Sequence, residues 1–147
     1  MIELNDLNLE DIYIGQKVQF KVIISKSMIE KFAILSGDYN PLHTDESYSK
    51  NTEFGKIICH GMLLASLFSR LIGMYLPGKN ALYLSQSLKF VSPCFVDDEV
   101  AITGKVLKKS LATKIITLET KITKEPNINI VIGEAKVMVR GSDVVIR

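Results

Sequence analysis

The segment Ser36-Gly37-Asp38-Tyr39-Asn40-Pro41-Leu42-His43 carries the residue types best able to do chemistry in this chain. Asp38 and His43 offer a carboxylate and an imidazole five residues apart. Two titratable groups converging on one water are what hydration chemistry needs. Pro41 biases Asn40 toward extended backbone, and Gly37 permits a tight turn. A loop built this way can aim both side chains at one point. Spacing alone leaves a plainer alternative open, with Asp38 capping a turn and His43 lying on the surface.

A second segment, Phe54-Gly55-Lys56-Ile57-Ile58-Cys59-His60-Gly61-Met62, ends where a long apolar stretch begins. The first turn of a helix presents free N–H groups and partial positive charge. With no side chain, Gly61 lets a ligand's carbonyl oxygen come close to its N–H. Such a donor can hold a thioester oxygen and stabilise an enolate. A glycine required only for close packing accounts for the residue equally well. His60 is a further candidate acid or base, with a structural role as the simpler reading.

The elements that must position these residues can be read from periodicity. Val18, Phe20, Val22 and Ile24 alternate over residues 17–24 and predict a strand. Ser27 and Glu30 have capping-box spacing, which places a short helix up to about Leu35. Gly37 to Asn51 reads as a loop with one short helical turn. From His60 to Leu76 the apolar residues cover nearly the whole circumference of a helix, and a helix of that kind is buried. Pro77-Gly78 ends it. Strands follow over 81–90, 100–107, 114–124 and 130–140, with a hairpin connection at Lys108–Leu111. The expected fold class is therefore α+β, an antiparallel sheet of about five strands curled around one long buried helix.

Composition narrows the function classes. The 147 residues suit one domain, taken as 1–147, and the net charge of +2 is too small to argue for nucleic acid or an anionic membrane surface. Met62 to Leu76 is interrupted by Arg70 and is too short to span a bilayer. The N-terminus lacks a basic start followed by an apolar run, so a secretory signal is not expected. Cys59 and Cys94 form neither a disulfide framework nor a metal spacing, which fits a reducing, cytoplasmic setting.

Taken together, the two segments resemble the MaoC-like family of (R)-specific 2-enoyl-CoA hydratases, which have a hot-dog fold. The family's Gly-Asp-x-Asn-Pro-hydrophobic-His run is matched by Gly37, Asp38, Asn40, Pro41, Leu42 and His43. The His-Gly-Met start of its central helix is matched by His60, Gly61 and Met62. Leu63 to Ser69 and the run Pro93-x-Phe95-Val96-x-Asp98-Glu99-Val100 resemble short bacterial members that act on acyl-CoA. The likeness spans Ile14 to Val139 and is tightest from Ala33 to Glu99. One departure is Ile57, where many relatives carry proline.

The resemblance implies a reversible addition of water to a trans-2-enoyl-CoA, giving an (R)-3-hydroxyacyl-CoA. Asp38 and His43 are implied as the catalytic pair, with the Gly61 N–H on the thioester oxygen and Asn40 fixing the loop or the water. Ala65, Ser69 and Ile72 follow Gly61 at i+4, i+8 and i+11, on one helix face. By the same likeness Ser69 and Ile72 line an acyl pocket, which a bulky Ile72 makes short. No metal or other cofactor is implied, the expected partner is the acyl-CoA thioester, and a homodimer is expected. Alternatives are a 3-hydroxyacyl-[acyl-carrier-protein] dehydratase, a thioesterase and a non-catalytic acyl-thioester-binding module. The two enzyme alternatives commonly carry a carboxylate on the central helix, and Gly61 to Leu76 contains no Asp or Glu.

Overall fold

Alternating apolar residues build a six-stranded antiparallel sheet in the computed structural model, which describes residues 1–141. The domain expected over 1–147 reaches further, and residues 142–147 lie outside the described residues. The strands are β1 (Lys17–Ile23), β2 (Ala81–Gln86), β3 (Lys89–Phe90), β4 (Glu99–Lys109), β5 (Ile115–Lys124) and β6 (Ile128–Val139). Their order is β1-β4-β5-β6-β2, with β3 also paired to β6. The register sets one row of facing residues across the sheet: Phe20, Ile102, Ile122, Val131 and Phe90. The first four are buried and form the floor of the core. Because side chains alternate with period two, this row decides which residues face the helix.

That helix, α4 (Gly61–Arg70), sets Leu63, Leu64 and Phe68 onto the floor. It continues into a π-turn over Leu71–Tyr75, packed by Leu71 and Ile72. This is the α+β hot-dog arrangement that the resemblance implies. The expected all-round burial is not what the single chain shows. Met62 is 57% exposed, and Ser66 and Ser69 also face solvent. One stripe of the helix therefore has no cover from its own sheet.

Other departures from the sequence reading have local causes. The strand expected over 81–90 is two strands, because Ser87 interrupts it. The Ser87 hydroxyl accepts the Glu134 N–H at 2.9 Å, replacing a ladder bond with a side-chain bond. The first helix, α1 (Lys26–Ser36), is capped by Ser25 rather than Ser27. The Ser25 hydroxyl accepts the Met28 N–H at 3.2 Å. Residues 37–51 hold two short helices, α2 (Pro41–Thr44) and α3 (Glu46–Lys50). Asn40 caps the first through the Leu42 N–H and Asp45 caps the second through the Tyr48 N–H, both at 3.0 Å.

The cap assignment is testable by urea unfolding. Ser25→Ala should cost about 1 kcal/mol with an unchanged m-value, whereas Ser27→Ala should stay within about 0.5 kcal/mol of the parent.

Candidate active site

Gly37 begins the site. It ends α1 in the left-handed region, at φ +78°, with its N–H on the Ala33 carbonyl at 2.8 Å. A side chain would be strained there. The chain then turns sharply into Asp38. The Asp38 carboxylate accepts the Asn40 N–H through Oδ1 at 3.1 Å. Asn40 in turn caps α2, so its role in the structure is to hold the loop. Pro41 opens α2, where its missing N–H costs nothing, and His43 falls in that helix's last turn.

A single backbone residue orients His43. The Ile58 N–H donates to the Leu42 carbonyl at 3.2 Å, and the His43 Nδ1 lies 2.7 Å from the Ile58 carbonyl. A carbonyl only accepts, so Nδ1 carries the hydrogen and the neutral ring keeps a lone pair at Nε2. The buried Ser49 hydroxyl supports α2 from the other side, within 3.2 Å of both the Pro41 and Leu42 carbonyls. Ile58 also bridges to Phe95, flanked by Cys59 N–H to Cys94 carbonyl at 2.7 Å and Val96 N–H to Ile57 carbonyl at 3.1 Å. Main-chain pairing thus holds the loop around Ile57 without a proline there. Asp98 braces the facing turn, accepting the Phe95 N–H and pairing with Lys124 at 3.0 Å.

His60 completes the cluster. It is 2% exposed, its Nε2 lies 3.0 Å from the Asp38 carbonyl, and its ring stacks on His43 at 4.0 Å. Burial pushes its imidazole below the ordinary value and outweighs the upward pull of the Asp38 carbonyl; the facing His43 adds to the lowering. Asp38, His43 and His60 each place one donor atom within 4.8 Å of the others. They could also hold a cation, although one nitrogen of each imidazole is already committed to a carbonyl.

These residues form one wall of a cavity of about 490 Å³. Gly61 lies beside them as the first residue of α4. The N–H groups of Leu63 and Leu64 are taken by the His60 carbonyl, and those of Gly61 and Met62 belong to the open end of the helix. Phe90 to Cys94 and Ile130 form the opposite wall. Sequence reasoning gave these no role in the site; Pro93 opened the run that resembles acyl-CoA-acting members, and Ser92-Pro93 marked a turn. A Cβ on Gly61 would come within 2.8 Å of the Phe90 ring, so close packing is also part of this glycine's reason. The Cys59 and Cys94 thiols are buried and point to the His60 and Phe95 carbonyls; the neighbouring Cys94 and burial push the Cys59 thiol up, so the pair forms wall rather than nucleophile.

Ala65, Ser69 and Ile72 are not brought to this cavity, whose helix lining stops at Leu64. Ala65 is half-buried and Ser69 is exposed. Ile72, at 1% exposure, packs with Leu76, Val106 and Val137 in a second core cluster. Ala65 and Ser69 lie within the regular α4, on a stretch the cavity does not reach, and Ile72 falls in the π-turn that starts at Leu71.

Residues 11–127 match the family model described as "MaoC like domain". The chain belongs to the MaoC-like domain family. An (R)-specific enoyl-CoA hydratase of Aeromonas caviae is 42% identical over 131 residues, 89% of this chain and 98% of that protein. The solved structure of an (R)-hydratase from A. caviae involved in PHA biosynthesis superposes with a TM-score of 0.86, at 42% identity, covering 88% of this chain and 98% of that one. The unliganded R-hydratase PhaJ1 of Pseudomonas aeruginosa gives a TM-score of 0.89 at 31% identity, covering 93% and 88%. The MaoC-like match contains every cavity-lining residue named above except Ile130.

Two variants separate the two roles of Gly61. His60 already has φ −57° and ψ 131°, the backbone that precedes proline readily. Both Gly61→Ala and Gly61→Pro push Phe90 aside, but only proline removes the N–H. Turnover of an enoyl-CoA should fall about 10²–10³-fold further in the proline variant than in the alanine variant. Equal losses would leave Gly61 a packing residue only.

Proposed function

We propose that this chain is an (R)-specific 2-enoyl-CoA hydratase, adding water reversibly across the C2–C3 double bond of a trans-2-enoyl-CoA. The observation that carries the reading is the convergence of the Asp38 and His43 donor atoms, within 4.8 Å, on a cavity next to the free helix end at Gly61. Water addition to an enoyl thioester needs a base, a proton donor to C2 and a donor for the thioester oxygen. All three have an assigned group here, and the reaction asks for no cofactor.

The hydrogen bonds suggest the order of events. With Nδ1–H held by Ile58, His43 presents a lone pair at Nε2, and Asp38 presents its second carboxylate oxygen. A water between them donates one O–H to each and turns its own lone pair toward C3. As the new C–O bond forms, one acceptor takes a proton. Charge moves onto the thioester oxygen, where the Gly61 N–H stabilises it. The pair then returns a proton to C2, and both residues end as they began. Holding water and substrate in one orientation replaces a termolecular encounter. Among the described residues Asp38 is the one acidic residue lining the cavity, which favours hydration over the thioesterase and carrier-protein alternatives expected to place a carboxylate on the helix.

The substrate reading is a short acyl group, four to six carbons. Along α4 the cavity lining ends at Leu64, one turn from Gly61. We further propose a homodimer. Strand β2 is a sheet edge with Leu82 and Leu84 exposed, and the uncovered stripe of α4 carries Met62. Edges of this kind invite strand pairing. No helix among the described residues is long and apolar enough to cross a membrane, and the free buried cysteines fit a cytoplasmic setting for residues 1–147 as one domain.

Loss of enoyl-thioester absorbance with crotonyl-CoA tests the reaction. Asp38→Asn and His43→Ala should each lower turnover about 10²–10⁴-fold in folded protein. Near-parental rates in either variant would remove that residue from the mechanism. Sedimentation at micromolar concentration should give a dimer, and a monomer there would remove the assembly proposal.

A further inference from the structure

His60 touches both members of the catalytic pair, in two different ways. Its Nε2 lies 3.0 Å from the Asp38 carbonyl. Since that oxygen only accepts, Nε2 carries the hydrogen and pins the main chain of Asp38. Its ring face stacks on His43 at 4.0 Å between centroids and 27° between planes. Phe32 of α1 meets the same ring edge-on at 4.9 Å, so the imidazole is gripped from two directions. The His60 carbonyl accepts the Leu63 and Leu64 N–H groups and starts α4, and its next peptide bond supplies the Gly61 N–H. One residue therefore connects to the main chain that carries the carboxylate, to the imidazole and to the oxyanion donor.

We infer that His60 is a positioning residue: its hydrogen bond sets the Asp38 backbone and its ring sets the plane of His43, so that both converge on one water. The inference rests on the hydratase reading above. A further feature separates it from a core-filling histidine. With Nε2–H committed, Nδ1 is left as a buried lone pair without a partner among the described residues. A residue selected only to fill space has no need for that orphaned nitrogen, because an apolar ring would fill the same volume without it. The arrangement makes sense when the Nε2–H is what the site requires.

Three variants in the full chain test this, read on kcat, KM and melting temperature with crotonyl-CoA. Glutamine can place an amide N–H where Nε2–H lies, while phenylalanine keeps a ring to stack and loses the donor. His60→Ala should lower kcat about 10²-fold, the scale of a small misplacement of reacting groups, with KM nearly unchanged. His60→Gln should recover at least tenfold of that loss. His60→Phe should melt no lower than His60→Gln yet turn over more slowly. If His60→Ala does not fold, the glutamine–phenylalanine comparison decides. Losses that follow melting temperature alone, with glutamine no faster than phenylalanine, overturn the inference. Nitrogen-15 spectra of the imidazoles give an activity-independent readout: neutral His60 should carry its proton on Nε2, and a proton on Nδ1 would overturn the inference. If Asp38→Asn and His43→Ala abolish turnover while His60 variants do not, the positioning role fails and the hydratase reading stands. If the parent chain does not hydrate crotonyl-CoA, both fall.

Discussion

The Ile58 carbonyl holds the His43 Nδ1–H at 2.7 Å, and the chemistry of the site depends on the tautomer this imposes. Only with Nδ1 occupied does the other nitrogen become an acceptor on the cavity side. The same residue's N–H fixes the Leu42 carbonyl, so α2 and the loop before α4 hold each other through two bonds. A four-residue helix is far below the length that is stable alone. It persists here because Asn40 caps it, Ser49 lies under it and Ile58 lies across it. His43 is accurate because its short helix is tied at several points, not because the helix is rigid.

The core explains why these parts meet. The facing row from Phe20 through Ile102, Ile122 and Val131 forms an apolar floor, and α4 lies on it through Leu64 and Phe68. The row's last member, Phe90, lies against Gly61. Burial of the helix therefore also delivers its open N-terminus to the cavity edge. Each large buried side chain contributes roughly 1.5–3 kcal/mol, which is ample to hold a polar cluster containing one orphaned nitrogen. The polar site is small and the apolar frame large, and the frame sets the position of the site.

Much of this was legible in the sequence, and for physical reasons. Strict alternation over Val18 to Ile24 and the continuous apolar stretch after His60 report periods that only a strand and a packed helix satisfy. That Asp38, His43 and Gly61 meet at one cavity could be expected because histidine is scarce here and the spacing matches a known family. What stayed illegible depended on tertiary partners. Nothing local says that Ser87 will take a ladder bond, or that Ser25 and not Ser27 will cap α1. Periodicity put Ala65, Ser69 and Ile72 on one face but could not say how far the cavity runs along it, and its lining ends at Leu64; only Ile72 lies in the π-turn. The far wall from Phe90 to Cys94 is remote in sequence from the loop it faces. His60 looked structural because its value lies in contacts with Asp38 and Phe32, 22 and 28 positions away.

The central claim is that one water, held by Asp38 and His43, is delivered to one face of an enoyl thioester anchored at Gly61. Its most direct test is the chirality of the product formed by the parent chain from crotonyl-CoA, read by coupling to (R)- and (S)-specific 3-hydroxyacyl dehydrogenases in parallel. The account predicts oxidation in the (R)-specific reaction alone. Product consumed by the (S)-specific enzyme, or no product at all, would contradict it.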